Sequence, residues 1–195
     1  MTSKSACVAK KSSGTSIVEY KNLRLNDETF SVGDVVVIKE YNDDSCYGTL
    51  VRIWKDKEKA DPLARVRWFY KPTDVFGVDY DFISQAELFD SDHEQDIWVV
   101  CLYSKAKVLP FEEYHALDEA DDDIFFTRAK YFHKENIIRP GFEEWKRACV
   151  CNSIINPDSL YVSCDQCSEL YHPECIGFVE NENEPWLCSK CMKEC

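Results

Sequence analysis

Cys149-Val-Cys151 begins a series of paired ligands that continues as Cys164-x-x-Cys167, His172-x-x-Cys175 and Cys188-x-x-Cys191. Seven thiols and one imidazole are the donors that two tetrahedral zinc ions need, each at about 2.0–2.3 Å from its metal. The spacing does not distinguish interleaved from sequential pairing of the four ligand pairs. It predicts a small domain that is built around two structural zinc ions.

The eleven cysteines would also suit the disulfide framework of a secreted protein. Residues 1–14, however, are polar and basic and lack the apolar stretch of a signal peptide. Most of the cysteines crowd one end of the chain in closely spaced pairs. We therefore favour zinc, and we expect Cys7, Cys46, Cys101 and Cys195 to be free thiols.

Composition narrows the class of partner. The formal net charge is -13, and residues 149–195 alone hold eight acidic residues against two lysines. Such a chain repels phosphate backbones, so we expect no direct DNA binding and a basic partner instead; acidity that serves only solubility is an equal alternative. No apolar run approaches 18 residues, so we expect no membrane span. The zinc segment is too short for a large core and depends on metal, which supplies on the order of 10–16 kcal/mol.

The rest of the chain has the pattern of a mainly β domain. β-branched and aromatic runs between turn residues predict strands at 34–40, 46–54, 64–70, 97–108 and 124–132. Short helices are expected at 81–88 and 141–147, and residues 1–18 are expected to be disordered. Many strands and little helix favour a small β-barrel or sandwich.

The ligand order identifies the class of zinc module. The histidine follows the fourth cysteine, whereas a RING finger has it earlier, and Trp186 lies two residues before Cys188. These features resemble the plant homeodomain (PHD) finger. The resemblance implies a cross-brace, in which Cys149, Cys151, His172 and Cys175 bind one zinc ion and Cys164, Cys167, Cys188 and Cys191 bind the other.

The same resemblance implies a histone H3 tail as ligand, added as a strand to the sheet of the finger. The residues expected to contact the tail are Asp158, Tyr161, Asp165, Glu169 and Leu170. Readers of trimethylated lysine 4 carry a tryptophan two residues before the ligand histidine, where this chain has Leu170. We therefore expect the finger to read H3 that is unmodified or weakly methylated at lysine 4, or to be mainly structural.

Arg65-Val-Arg-Trp-Phe-Tyr-Lys-Pro72 is the second strong signal. On a strand, Trp68 and Tyr70 share one face, and an aromatic stripe in a barrel core would also explain them. The segment, together with Glu87-Leu-Phe-Asp-Ser-Asp-His93, resembles the bromo-adjacent homology (BAH) domain, a β-rich barrel. With Asp122-Asp-Ile-Phe-Phe-Thr-Arg128 and Asn156-Pro-Asp158, the resemblance extends to plant BAH–PHD chromatin readers of the short-life and early-bolting type.

This resemblance implies a domain order and a site. The expected bounds are a BAH domain at 19–135, a helical connector at 136–147 and the finger at 148–195. An aromatic cage of Tyr47, Trp68 and Tyr70 would bind trimethyl-lysine, which aromatic faces suit because it cannot donate hydrogen bonds. The expected mark is lysine 27 of H3, a repressive one, and Trp68→Ala is expected to lose binding and keep the fold.

Three acidic or imidazole residues complete the expected site. His93, with Asp92 and Asp96, is expected to line the peptide groove, although a structural hydrogen bond would equally explain His93. The implied protein is nuclear, represses transcription and has chromatin or corepressor proteins as partners.

Three rival functions follow from the same residues. One is a RING-like ubiquitin ligase, which the ligand order disfavours, and another is an interaction scaffold with a degenerate finger. The third is an enzyme that uses Asp92 and His93, or Asp96, as a dyad. No nucleophile or glycine-rich phosphate loop accompanies these residues, so we expect no enzyme activity.

Overall fold

The computed structural model describes residues 7–9, 17–39, 44–57, 61–179 and 185–193. The chain divides into two compact units. The first unit consists of the chain up to Asp79 together with Ala86–Arg139, and the second consists of Tyr80–Gln85 and Pro140–Cys195. The second unit thus contains six residues from the middle of the sequence in addition to the expected finger.

The first unit is mainly β. Its elements are β1 (Ile17–Tyr20), β2 (Asn22–Leu25), β3 (Glu28–Ser31), β4 (Val35–Lys39), β5 (Ser45–Asp56), β6 (Leu63–Phe69), α1 (Pro72–Phe76), β7 (Asp90–Ser91), β8 (Glu94–Trp98), a 3-10 turn (Val99–Cys101), β9 (Leu102–Pro110), α2 (Phe111–His115), β10 (Ile124–Thr127), β11 (Lys130–Phe132) and β12 (Ile137–Arg139).

One seven-stranded sheet organises these strands in the order β10-β9-β4-β5-β6-β8, with β1 added to β5. All of its pairs are antiparallel except β10 with β9. The β4–β9 and β5–β6 ladders shift register once each, and such bulges bend and twist a sheet. A second sheet has the order β12-β11-β7, and β2 and β3 form a hairpin.

Alternation along the central strands produces the core. In β6, Leu63, Ala64, Val66 and Trp68 are at most 1% exposed, whereas Arg65 and Arg67 between them are half-buried. Residues from four further strands are equally buried: Ile38, Leu50, Ile97 and Phe126. This period of two is the pattern of a sheet with one face against a core.

The second unit has short elements around its ligand turns. They are a 3-10 turn (Phe142–Glu144), β13 (Arg147–Ala148), β14 (Ser153–Ile154), β15 (Val162–Ser163), β16 (Leu170–Tyr171), α3 (Pro173–Ile176) and a 3-10 turn (Cys191–Lys193). β13 pairs with β14 and β15 with β16, both antiparallel. Cys149, Asn152 and Ser168 have positive φ, which lets the chain reverse sharply beside the ligands.

The mainly β fold class is confirmed, and several local expectations are wrong. Residues 81–88 form turns and bridge positions instead of a helix, and the helix of this region is α1, which starts at Pro72. The expected strand 97–108 is broken by the 3-10 turn, and 124–132 divides into β10 and β11. Only Phe142–Glu144 is helical in the expected connector.

The expected disorder of residues 1–18 is also wrong in part. Residues 7–9 are ordered against the first unit, and β1 begins at Ile17, whereas residues 1–6 and 10–16 lie outside the described part of the chain. No helix within the described ranges is long and apolar enough to cross a membrane.

Candidate functional site

Two metal-ligand groups lie in the second unit. Cys149, Cys151, His172 and Cys175 form one group, and Cys164, Cys167, Cys188 and Cys191 form the other. Within each group the candidate ligand atoms lie within 4.8 Å of one another. The pairs are therefore interleaved, because the first and third pairs in the sequence form one group and the second and fourth pairs form the other.

The spacing of the ligand atoms fits tetrahedral zinc. Bond lengths of about 2.0–2.3 Å around a tetrahedron place neighbouring ligands about 3.5–3.8 Å apart. The Sγ atoms of Cys167 and Cys188 are 3.8 Å apart, and Nδ1 of His172 is 3.4 Å from Cys151 Sγ and 3.8 Å from Cys175 Sγ. The two groups are sites for two structural zinc ions, and His172 presents Nδ1.

Neighbouring hydrogen-bond donors stabilise the thiolate form of several ligand cysteines. The backbone N–H groups of His172 and Cys188 donate to the Sγ atoms of Cys149 and Cys164 at 3.4 and 3.3 Å. The Ser153 hydroxyl lowers the pKa of Cys151 to about 6, and the Tyr171 hydroxyl lowers the pKa of Cys188 to about 6. Both effects favour the thiolate, which is the form that binds zinc.

The residues expected to contact an H3 tail are largely engaged within the second unit. Asp158 accepts from the Ser84 hydroxyl at 2.8 Å and from the Gln85 N–H at 3.0 Å. Asp165 accepts from the Trp186 N–H at 2.7 Å, and Tyr161 Oη accepts from the Asn156 N–H at 3.1 Å. These contacts are built into the finger itself.

The remaining two of these residues border the β15–β16 hairpin. Leu170 is half-buried in β16 and its carbonyl accepts from the Cys149 N–H at 2.9 Å. Glu169 precedes it and is exposed. Asp158 and Asp165 are exposed as well, but their carboxylates accept the hydrogen bonds given above.

The role of Asn156-Pro-Asp158 was missed in the sequence. Asn156 donates from Nδ2 to the Asp81 carbonyl at 2.8 Å, so together with Asp158 it holds Tyr80–Gln85 in the second unit. Phe142 packs beside the same segment, with its ring 5.2 Å from that of Phe82. The pairing spans more than seventy residues, and no local pattern in the sequence reports it.

In the first unit, Tyr70 lies at the centre of an aromatic cluster. Its hydroxyl is 2.6 Å from His93 Nδ1 and 3.2 Å from His133 Nδ1, and its ring is 4.8 Å from that of Tyr131. The two imidazoles stack at 4.2 Å. We call Tyr70, His93, Tyr131 and His133 the Tyr70 cluster; its members on β11 and just beyond were not predicted.

A buried serine explains the Ser-x-His spacing. Ser91 donates to the Trp68 carbonyl at 2.6 Å and accepts from the His93 N–H at 3.1 Å, while the Trp68 N–H donates to the His93 carbonyl at 2.9 Å. Asp92 accepts from the His133 N–H at 2.9 Å. These bonds fix both imidazoles beside Tyr70.

The three expected cage residues have different environments. Trp68 is 1% exposed and donates to Gln95 at 3.1 Å, Tyr70 is 9% exposed, and Tyr47 is half-buried. The register pairs Tyr47 with Phe69 and Gly48 with Trp68. Residues directly opposite each other share a face, so the ladder puts Tyr47 on the face opposite to Trp68.

The electrostatics of the phenols suit a cation. Burial raises the pKa of both Tyr47 and Tyr70, so both hydroxyls stay neutral at physiological pH. The Lys71 ammonium already lies 5.8 Å from the centre of the Tyr47 ring, which packs against Phe125 at 4.5 Å with the ring planes tilted. Asp96, expected in the groove, pairs with Arg65 at 2.7 Å.

Comparisons with known proteins agree with these two units. The BAH domain model matches residues 28–138, and the PHD-finger model matches residues 149–191. Chromatin remodeling protein SHL of Arabidopsis thaliana is 31% identical over 90% of this chain and 78% of its own length. Chromatin remodeling protein EBS of the same plant is 28% identical over 71% of this chain and 62% of its own length.

A solved structure supports the fold. The yeast Rsc2 BAH domain superposes with a TM-score of 0.50 at 19% identity, covering 63% of this chain and 54% of that one. The family model spans more than half of the chain, and the two zinc groups coincide with the second match. The chain belongs to the BAH domain family, and a PHD finger follows its BAH domain.

Proposed function

We propose that the protein is a nuclear, non-catalytic chromatin reader whose BAH domain binds trimethyl-lysine on a histone H3 tail. The Tyr70 cluster carries this proposal, because it holds two buried phenols and two stacked imidazoles in fixed positions, with His133 exposed at the surface. The names of SHL and EBS, both chromatin remodeling proteins, support a chromatin role. Corepressor proteins are the proposed further partners.

The proposed walls for the ammonium are Trp68 and Tyr70, with Tyr47 as a third wall, which requires the Tyr47 side chain to turn from the face opposite to Trp68. A quaternary ammonium gains about 0.5–2 kcal/mol from each aromatic face within reach. Trp68 and Tyr70 are almost fully buried, so the ligand reaches them only after side chains of the Tyr70 cluster move. Exposed Asp92 and Glu94 flank His93 and offer negative charge to a basic tail. Lysine 27 of H3, a repressive mark, is the proposed target.

Replacement of Tyr47 is the sharper test of the cage. Trp68→Ala would remove a fully buried side chain and cost about 3–5 kcal/mol of stability. We therefore expect this variant to be destabilised, contrary to the expectation from the sequence that it keeps its fold. We expect Tyr47→Ala to weaken binding to trimethylated lysine 27 peptide about five- to thirtyfold, and Tyr47→Phe to change it little, because only alanine removes the π face.

Isothermal calorimetry with trimethylated and unmodified peptides measures both effects. Equal affinity of the wild-type protein for the two peptides would refute the trimethyl-lysine proposal. If Tyr47→Ala binds like the wild type while methylation still matters, Tyr47 is not a wall, and its position on the face opposite to Trp68 explains why.

For the PHD finger we propose binding to the N-terminal H3 tail that is unmodified or weakly methylated at lysine 4. Half-buried Leu170 on β16 offers no aromatic face for a trimethylated lysine 4. We expect calorimetry on the intact chain to give no preference for trimethylated over unmodified lysine 4 peptide. A preference above about tenfold, which is about 1.4 kcal/mol, would contradict the proposal.

A second candidate role for the finger is an interaction scaffold. The bonds of Asp158 to Ser84 and Gln85 favour it, because they use an expected ligand contact to hold a segment of the chain itself. A ubiquitin ligase role has only the zinc content in its favour, and an autoubiquitination assay separates it from both.

A further inference from the structure

Residues 7–9, which we call the N-terminal strap, lie along the outer edge of β8. Val8 forms an antiparallel bridge with Ile97, the Ala9 N–H donates to the Asp96 carbonyl at 2.8 Å, and the Trp98 N–H donates to the Cys7 carbonyl at 3.0 Å. β8 is the last strand in the order of the large sheet. The strap therefore covers backbone groups that an edge strand would otherwise offer to an incoming peptide.

The strap is packed and covalently fixed as well as paired. Ala9 is 6% exposed and packs against Trp54 and Leu63. Cys7 is 3% exposed and forms a disulfide with Cys101, which closes the 3-10 turn after β8. This bond contradicts the expectation that both cysteines are free thiols. Fixing a chain end through only two hydrogen bonds costs conformational entropy. A covalent link to the domain lowers that cost.

The strap pairs with β8, and residues of the proposed peptide groove lie in or next to the same strand. His93 immediately precedes β8, and Asp96 lies within it opposite Arg65. A cavity of about 390 Å³ is lined by Val8, Ala9, Arg65, Glu94, Gln95 and Asp96. Two of these six lining residues come from the strap, so its release would open one wall of the cavity and free the edge of β8.

We propose that the disulfide between Cys7 and Cys101 is a thiol-reducible latch, which holds the strap where an extended, basic peptide would add to β8. This latch rests on the proposed function of the BAH domain, since it controls access to the edge of β8 beside the proposed peptide groove. The disulfide form closes the edge, and the dithiol form opens it. An added strand gains affinity from backbone hydrogen bonds, which the strap already makes.

The chemistry needs a cellular thiol such as glutathione. Cys101 is half-buried and Cys7 is buried, so the reductant thiolate attacks Cys101 Sγ and displaces Cys7 as a thiolate. A second reductant thiol then resolves the mixed disulfide, which leaves two protein thiols and one oxidised reductant. The Lys39 carbonyl, 3.5 Å from Cys7 Sγ, can accept a hydrogen bond from the thiol once it forms. Nuclear thiols are kept reduced, so the latch closes on oxidation.

The test uses the full chain with both zinc ions, oxidised or reduced with a phosphine, and two readouts. Amide hydrogen exchange reports the strap directly, and we expect protection of the Ala9 and Trp98 amides to be lost on reduction. Calorimetry with trimethylated lysine 27 peptide reports competition, and we expect roughly fivefold tighter binding on reduction, as when a binding-competent fraction rises from about a fifth towards one.

Two variants separate the latch from other effects of the reductant. Cys101→Ser should bind like the reduced protein and respond to neither oxidation nor reduction, which controls for the zinc cysteines. Ala9→Pro removes the N–H that donates to Asp96 while keeping the disulfide, so it should bind tightly even when oxidised.

Equal amide protection in the two redox states would overturn the latch. So would a peptide affinity that stays constant while protection changes. If no H3 peptide binds any form, the proposed function fails, and the protection of the Ala9 and Trp98 amides alone decides whether reduction frees this edge.

Discussion

Removal of zinc is expected to unfold the PHD finger while the BAH domain stays folded. The buried cluster of the finger consists of Tyr171 and three ligands, Cys164, Cys188 and Cys191. Apart from a few buried side chains around Trp145, Ile154 and Ile155, the ligands themselves are the core of the described part of the finger, so little apolar core remains when the metal leaves. Structural zinc contributes on the order of 10–16 kcal/mol, which exceeds or equals the whole stability of an ordinary domain.

Near-ultraviolet circular dichroism and amide chemical shifts measure this loss. Addition of a chelator should collapse the resonances of Trp186 and Tyr171 to random-coil values and leave those of Ile97 and Val66 unchanged. Return of two zinc ions per chain should restore them. Cys188→Ser should reproduce the loss, and Cys46→Ser, a change in a cysteine of β5 outside both ligand groups, should not. Native shifts in a metal-free finger would contradict the prediction.

The features that could be predicted best from the sequence are those that depend on residues close together in the chain. The zinc ligands occur in close pairs, so their type and number were readable, and the family resemblance supplied the interleaved grouping that the structure has. The strands around Ile38, Leu50 and Val66 were readable because β-branched and aromatic residues are concentrated there between turn residues.

The failures involve contacts between distant residues. The sequence predicts a helix from Asp81, whereas this segment forms turns that are held by hydrogen bonds to Asn156 and Asp158. His133 lies beside Tyr70 where its N–H donates to Asp92, 41 residues earlier in the sequence, and Cys7 bonds to Cys101 across 94 residues. Local periodicity carries no information on such pairings, which depend on how the strands are arranged.

The second large effect, on the stability of the BAH domain, is expected at a buried ion pair. Glu87 accepts two hydrogen bonds from Arg128, at 2.8 Å from Nε and 2.7 Å from Nη2, and the two side chains are 0% and 7% exposed. The Arg128 guanidinium also lies 5.0 Å from the centre of the Phe111 ring. Glu87 is bridged to Phe126 in the core, so neither charge can move into water without disrupting this packing.

Glu87→Gln is therefore expected to destabilise the BAH domain by about 3–5 kcal/mol, because it removes the buried carboxylate that accepts two hydrogen bonds from the Arg128 guanidinium. Urea unfolding, followed by the tryptophan fluorescence of Trp54 and Trp68, should show a lower midpoint with an unchanged slope. Asp27→Asn is the matched control: it breaks an ion pair with Arg24 whose side chains are 95% and 72% exposed, and it should cost less than about 1 kcal/mol.

The double variant Glu87→Leu with Arg128→Met separates charge from packing. Removal of both charges restores an apolar pair of similar size, so we expect the double variant to be more stable than Glu87→Gln by at least about 2 kcal/mol. A double variant as unstable as Glu87→Gln would mean that the shape of the pair, rather than the lost carboxylate charge, determines the loss of stability. In that case, the contacts of the Arg128 guanidinium with Phe111 and Phe126 would be the main stabilising interaction at this site.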